Sequence, residues 1–265
     1  MKFYSIASGS SGNCIYVASE RTRLLVDVGI SKKRIEEGLS MIEVSPQSLD
    51  GIFITHEHSD HIKGLGVMMR KYRLPVFATP GTIEQILKCR SLGEIDSELL
   101  QPITRDEQVI VGDISVLPVR TSHDAAEPVA YRFTCEGKRV AVLTDLGTYD
   151  EHIVATMQNL DGILIEANHD VRMLQVGSYP YYLKQRILGD QGHLSNEVSG
   201  QLLCELIHDN MKMIMLGHLS QENNLEELAF ETIRQEIECS AREHGCRELC
   251  IDVAKRNDPS RLYEF

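Results

Sequence analysis

Between Phe53 and Gly64 the sequence reads FITHEHSDHIKG, and no other stretch restricts the possible folds as strongly. His56, His58, Asp60 and His61 fall within six positions, directly behind the apolar run GIFIT. Neutral imidazole nitrogens and a carboxylate oxygen suit Zn2+ and other first-row divalent ions. A strand that stops in a tight loop can aim such side chains at more than one ion. A lone histidine is more often a packed or solvated residue than a ligand. Three histidines and an aspartate at one strand end do not fit that reading.

The rest of the chain is patterned around short apolar runs. KFYSIAS, CIYVAS, TRLLVDVG and DGIFITH read as strands, followed by a helical pattern from His61 to Tyr72 and the strand PVFATP. GTIEQILKC reads as a helix beginning beside Pro80, with Thr82 as its N-cap. The second half repeats the alternation in QVIVGDISVLPVRTSH, VAYRFTCEGKRVAVLTD and DGILIEANH, with EGK as a hairpin turn. Helical stretches run through SYPYYLKQRILG, EVSGQLLCELIHDN and NLEELAFETIRQEIECSAREHG, and MKMIMLGH is a short apolar strand between them. Two strand-rich halves, each followed by helices, predict an α/β (α+β) chain with two mixed sheets packed face to face and helices outside. No linker or low-complexity stretch divides the 265 residues, so a single domain over 1–265 is expected.

The tetrapeptide GHLS occurs twice, at Gly192–Ser195 and Gly217–Ser220. His218 ends the apolar run MIMLGH, as metal ligands at strand ends do. His193 follows a helix end and loop and precedes a helix capped by Ser195 or Asn196. A loop residue that merely supports the cap explains His193 as well as a catalytic role does.

HxHxDH at a strand end is similar to the signature of the metallo-β-lactamase fold superfamily, and further motifs follow in that family's order. LLVDVG supplies Asp27, PVRTSHDA supplies His123 and AVLTDLG supplies Asp145, the last two behind apolar runs. The resemblance implies an αββα four-layer sandwich and a dinuclear site. His56, His58 and His123 would hold one metal, and Asp60, His61 and His218 the other. Asp145 would bridge the two, while Asp27 would support the metal loop from behind. It also implies a catalytic part for Asp60 and for His193, the latter resembling the HST histidine of tRNA 3′-processing nucleases that acts on the leaving group.

Several departures narrow the branch. His58 stands where flavodiiron proteins place a glutamate, and the chain between Asp145 and His218 is too short for the extra domain of β-CASP nucleases. ASGSSGNCIYV, IEANHD, YPYYLKQRILGDQGHLSNE and LGHLSQENN together resemble the YycJ/WalJ-type branch of bacterial hydrolases. That branch implies a DNA exonuclease of 5′-to-3′ polarity, hence nucleic acid, as DNA ends or single strands, for a partner. The formal charge of -12 opposes loose attraction to phosphates, although bound divalent ions would supply a local positive site.

Candidate strand-binding groups are Arg172, Lys184 and Arg186 with Tyr179, Tyr181 and Tyr182 interleaved; basic groups would hold phosphates and rings would stack on bases. An amphipathic helix with its tyrosines packed inward fits the same residues. Ser10, Ser11 and Asn13 in SGSSGN are candidates to present backbone N–H groups to a phosphate, or form a plain hairpin loop. The expected mechanism is two-metal hydrolysis with Zn2+ or Mn2+, His193 donating a proton to the leaving oxygen under the orientation of Glu166. Hydrolysis of a small ester, thioester or lactone, and a non-catalytic metal-holding scaffold, are the rival classes. Seven cysteines without a CxxC pair, no membrane-length apolar run and no leader-like N-terminus point to reduced thiols in a cytoplasmic protein.

Overall fold

The computed structural model describes residues 1–246 and 249–265. Its contacts cluster into two compact units, Met1–Arg120 with Ala125–Lys138 and Lys255–Phe265, and Thr121–Asp124 with Arg139–Ala254. Fourteen strands among the described residues form two seven-stranded mixed sheets, and nine α-helices accompany them.

In the first unit β1 (Lys2–Ala7), β2 (Cys14–Ala18) and β3 (Arg23–Val26) make an antiparallel meander. The chain then passes through α1 (Lys32–Met41), β4 (Gly51–Phe53), α2 (Ser59–Ile62), α3 (Leu65–Tyr72), β5 (Val76–Ala78), α4 (Pro80–Lys88) and β6 (Leu100–Pro102). Here β3, β4, β5 and β6 pair in parallel, and a parallel neighbour needs a crossover, which the helices provide. A second antiparallel meander follows in β7 (Val109–Val111), β8 (Ile114–Arg120) and β9 (Val129–Cys135). The EGK turn lies after β9, with Glu136 at φ 51° and Gly137 at φ 77°, the two positive values that a tight hairpin turn demands.

The second unit takes up β10 (Lys138–Leu143), α5 (Glu151–Thr156), β11 (Gly162–Glu166), α6 (Val171–Val176), α7 (Tyr181–Leu188), α8 (Asn196–Leu206), β12 (Met213–Gly217), α9 (Glu226–Glu243) and β13 (Cys250–Val253). Its strands β10, β11, β12 and β13 are all parallel. Every residue of β11 and β12 is buried, as expected for parallel strands covered on both faces. The last strand, β14 (Tyr263–Glu264), returns to the first unit and pairs with β1.

Two expectations change in detail. The single helix expected over His61–Tyr72 is interrupted at Lys63–Gly64. Gly64 donates its N–H to Val28 O at 2.8 Å, and a Cβ there would lie 2.4 Å from Ile30 O. That close approach admits only glycine and ends α2 early. The cap of α4 is Thr79, not Thr82. Pro80 is the first helical residue, where a missing N–H costs nothing. Ser195 caps α8 as expected, its side chain accepting from Val198 N at 3.3 Å. No helix among the described residues is long and apolar enough to cross a membrane, and the cysteines are free thiols.

Candidate metal centre

In the first unit the register Val26↔Phe53 sets the ends of β3 and β4 side by side. Asp27 leaves β3 in the left-handed conformation, φ 59°, which aspartate tolerates better than most residues. Its Oδ1 accepts Thr55 N at 2.9 Å; its Oδ2 accepts the Thr55 hydroxyl at 2.9 Å and lies 2.8 Å from His61 Nδ1. The same hydroxyl is 3.0 Å from His56 Nδ1. One carboxylate and one threonine therefore hold two buried imidazoles. His61 Nε2 is left facing Asp60 Oδ2 at 3.4 Å and Asn13 Nδ2 at 3.2 Å. His56 Nε2 lies 3.0 Å from His58 Nδ1. Burial pushes the Asp27 carboxyl above its usual value, only partly opposed by the charge and hydrogen bonds of His61 and the hydrogen bonds of Thr55.

In the second unit the pairings Leu143↔Ile165 and Glu166↔Gly217 bring Asp145, Glu166 and His218 to one end of three adjacent parallel strands. Open α/β sheets bind ligands beyond such carboxyl ends. Asp145 and His218 are also left-handed, at φ 60° and φ 54°. Non-glycine residues held there concentrate at functional sites.

Both GHLS copies reach the same buried carboxylate. Glu166 Oε1 lies 2.7 Å from His193 Nδ1 and 2.8 Å from His218 Nδ1. Glu166 Oε2 accepts Leu146 N and Leu194 N. Burial alone would raise this carboxyl, but the charges and hydrogen bonds of His193 and His218 outweigh it and hold Glu166 below the usual carboxylate range. Around Asp145 Oδ1 stand His218 Nε2 at 3.6 Å, His123 Nε2 at 3.7 Å and His193 Nδ1 at 3.7 Å. These gaps are longer than a hydrogen bond. Those to His218 and His123 fit two donors on one tetrahedral ion, whose bonds of about 2.1 Å place ligand atoms roughly 3.4 Å apart, whereas His193 Nδ1 is held by Glu166. Asp145, Glu166, His193 and His218 each offer a ligand atom within 4.8 Å of the others. The donor set and spacing thus fit a divalent metal.

The two copies differ in exposure. His218 is 2% exposed and turns Nε2 toward Asp145. The His193 side chain is 15% exposed, with Nδ1 on Glu166. His123 is oriented by the Gly192 carbonyl, 3.0 Å from its Nδ1. A Cβ on Gly192 would fall 2.1 Å from Ile187 O, so this loop passes the end of α7 only with glycine.

Four supporting residues were not evident from sequence: Thr55, Gly192, Asn168 and His169. Asn168 Nδ2 donates to His218 O at 3.0 Å and so fixes the backbone that carries the histidine. His169 is 1% exposed, and neither ring nitrogen has a hydrogen-bond partner among the described residues. The buried histidine after IEAN was a visible signal, but its burial was not. Burial lowers its pKa from 6.5 to about 4. An unfolded chain protonates this ring near pH 6.5, whereas the folded chain does so only near pH 4. Stability is therefore intact above the first value and falls as pH drops toward the second, by up to about 3 kcal/mol. Urea midpoints measured from about pH 7 down to about pH 4.5 should fall less steeply for His169→Asn. Equal acid sensitivity in that variant would contradict the assignment.

The residues expected to hold a strand divide. Arg172 is exposed and Tyr179 is half-buried. Lys184 Nζ donates to Gln175 O at 2.8 Å and Gly177 O at 2.7 Å, clasping the end of α6. Arg186 grips both oxygens of Asp124. Tyr181 and Tyr182 are exposed on α7. In the first unit Ser10 and Ser11 are exposed, with Ser10 Oγ accepting from Arg256, while Asn13 is buried against His61.

Comparison with known proteins places this arrangement. Residues 22–218 match a family model described as a beta-lactamase superfamily domain. The chain belongs to the metallo-β-lactamase superfamily and has its fold. Within it, 236 residues are 43% identical to exodeoxyribonuclease WalJ of Streptococcus pneumoniae, covering 89% of this chain and 88% of that protein. Exodeoxyribonuclease YycJ of Bacillus anthracis is 40% identical over 238 residues, 90% of this chain and 89% of that one. Both the family and the branch read from the motifs are borne out. Among solved structures, the metallo-β-lactamase fold protein YhfI of Bacillus subtilis superimposes with a TM-score of 0.72 at 17% identity, over 100% of this chain and 99% of that one.

Proposed function

We propose that the chain is a metal-dependent exodeoxyribonuclease that removes nucleotides from DNA ends with 5′-to-3′ polarity. His56, His58, Asp60, His61, His123, Asp145 and His218 are the ligands in this reading, and Zn2+ or Mn2+ the ions. Bound there, two divalent ions would activate water and neutralise charge on the phosphodiester. The observation that carries the reading is the shared Glu166 carboxylate: it commits Nδ1 of His193 and leaves Nε2 to give a proton to the departing oxygen. The same carboxylate turns His218 Nε2 toward Asp145. The exodeoxyribonuclease relatives supply the substrate class.

Behind the ligands, Asp27 holds His61 in one tautomer and orientation. Asp27→Ala is expected to weaken metal binding by roughly 10- to 100-fold, the usual loss when a ligand histidine loses its carboxylate. Titration against a chromophoric chelator measures it, and an unchanged affinity would remove Asp27 from this role.

The function is tested with 5′- and 3′-labelled single- and double-stranded DNA and RNA under each ion. Shortening of DNA from the 5′ end is the expected result. Hydrolysis of a thioester or lactone with intact DNA would overturn it.

A further inference from the structure

We infer that Arg256 and the exposed turn at Ser10 and Ser11 form a seat for a phosphate of the DNA strand, beside the metal loop. This rests on the nuclease reading above and adds how the strand is held. Ser10 Oγ accepts from Arg256 Nη1 at 3.2 Å. The hydroxyl hydrogens of Ser10 and Ser11 and both of their backbone N–H groups donate to no acceptor among the described residues. A guanidinium and four unspent donors therefore stand together on one turn, where both serines are exposed. Such a set of donors recognises an anion, and successive N–H groups of a turn make an anion-binding concavity.

The seat is fastened to the metal loop within the first unit. Asn13 N donates to Asp60 O at 2.8 Å, and Asn13 Nδ2 lies 3.2 Å from His61 Nε2, the ring nitrogen not held by Asp27. The Asn13 amide oxygen accepts Gly9 N at 2.9 Å. Gly12 N donates to Gly9 O at 3.0 Å and closes the turn that carries the two serines. Gly12 has φ 155°, and a Cβ there would lie 2.6 Å from Ile30 Cγ2, so the turn packs this closely only with glycine. From Ser10 to Asn13 is three residues, at most about 10 Å of chain. A phosphate on the seat is thus within about three nucleotides of one at the metal loop, at about 3.4 Å of rise per nucleotide.

Charge points to the same occupant. The Arg256 carbonyl accepts from Arg34 Nη2 at 2.7 Å, and Ser8 N donates to Lys255 O at 3.1 Å, so the segment that carries Arg256 is held in place. Arg34 is half-buried and pairs with no carboxylate among the described residues. A guanidinium partly removed from water without a counter-charge is costly, and an arriving anion relieves that cost. Arg34, Arg256 and the exposed Lys255 therefore make a local positive site in a chain whose formal net charge is -12. Arginine suits phosphate because its planar fork donates to two oxygens at once. A 5′-terminal monophosphate and an internal phosphodiester present the same kind of oxygens, and the experiment separates them.

The test compares the full chain with Arg256→Gln and with Ser10→Ala/Ser11→Ala, in EDTA, where no turnover occurs. Binding of 3′-labelled (dT)6 carrying a 5′-phosphate or a 5′-hydroxyl is read by fluorescence anisotropy at several salt concentrations, and thermal melts check folding. Arg256→Gln should weaken binding by roughly 10- to 100-fold, the usual worth of a hydrogen bond to a charged group. It should also reduce the slope of log K against log salt by about 0.7, the loss of one phosphate contact to a single strand. The serine pair should weaken binding by roughly 10-fold and keep the parental slope, and it decides the matter if Arg256→Gln melts early. A loss confined to the 5′-phosphorylated strand identifies a terminal monophosphate, and equal losses on both strands an internal diester; each supports the seat. Parental affinity in either variant, a loss in Arg256→Gln without a change of slope, or a parent that binds neither strand would overturn it. These binding results stand whether or not the parent cleaves DNA when metal is supplied, so failure of the nuclease reading is seen separately.

Discussion

His193→Ala is expected to keep its metal and lose turnover on DNA by roughly 10²- to 10⁴-fold, the range for removal of a positioned general acid. His218→Ala is expected to lose metal instead. The two residues share the tetrapeptide GHLS and the same carboxylate partner, but differ in burial and in the element that carries them. His218 is buried, with Nδ1 on Glu166 and Nε2 3.6 Å from Asp145. His193 uses the same Nδ1 for Glu166 and is more exposed, and in the proposed mechanism its Nε2 serves the substrate. Elemental analysis of each variant gives metal per chain, and single-turnover rates give the chemistry. A p-nitrophenyl phosphodiester sharpens the test, because its leaving group departs without a proton. His193→Ala should be nearly as fast as the parent on that substrate, and His218→Ala should not. Equal metal loss in both variants would end the distinction.

Glu166→Ala should be the most damaging single change in the chain. Four donors converge on this buried carboxylate: the two imidazoles and the N–H groups of Leu146 and Leu194. Removing one partner of a buried charged pair costs about 3–5 kcal/mol, because the remaining groups are left unpaired in the interior. The melting temperature should fall accordingly. Glu166→Gln keeps the volume and one acceptor, so it separates fold from function. It should fold, bind metal more weakly through His218, and turn over slowly through His193. At saturating metal, where the loss through His218 is masked, Glu166→Gln/His193→Ala should be little slower than the worse single variant. Additive losses in that double variant would show that Glu166 and His193 act independently.

Much of the fold was legible because its signals are local. Apolar runs of strand length marked β1 to β5 and β7 to β12 in whole or part, and the EGK turn has the backbone that its residues suggest. The strands β6, β13 and β14 gave no such warning. Each depends on a partner distant in sequence, β14 on β1 and β13 on β12, and long-range pairing leaves no periodic trace in a segment of two to four residues. Lys184 and Arg186 show the same limit at the level of side chains. Their charge suggested phosphate contacts, yet the carbonyls of Gln175 and Gly177 and the carboxylate of Asp124 occupy them.

The sequence by itself determined the chemistry of the donors: four ligand-type side chains behind GIFIT, and His123, Asp145 and His218 behind apolar runs, are nitrogen and oxygen donors wherever they lie. It also separated the two GHLS copies by context, His218 behind the apolar run MIMLGH and His193 behind a helix end and loop, but it did not show which group holds either ring. The tertiary structure supplied that group. Parallel pairing of β11 with β12 sets Glu166 beside the end of β12, and the loop after α7 returns His193 to the same oxygen. Across separations of 27 and 52 residues, one carboxylate fixes which nitrogen of each ring is left over. The leftover nitrogen of His218 is turned toward Asp145, and that of His193 is the proton donor in the mechanism we propose.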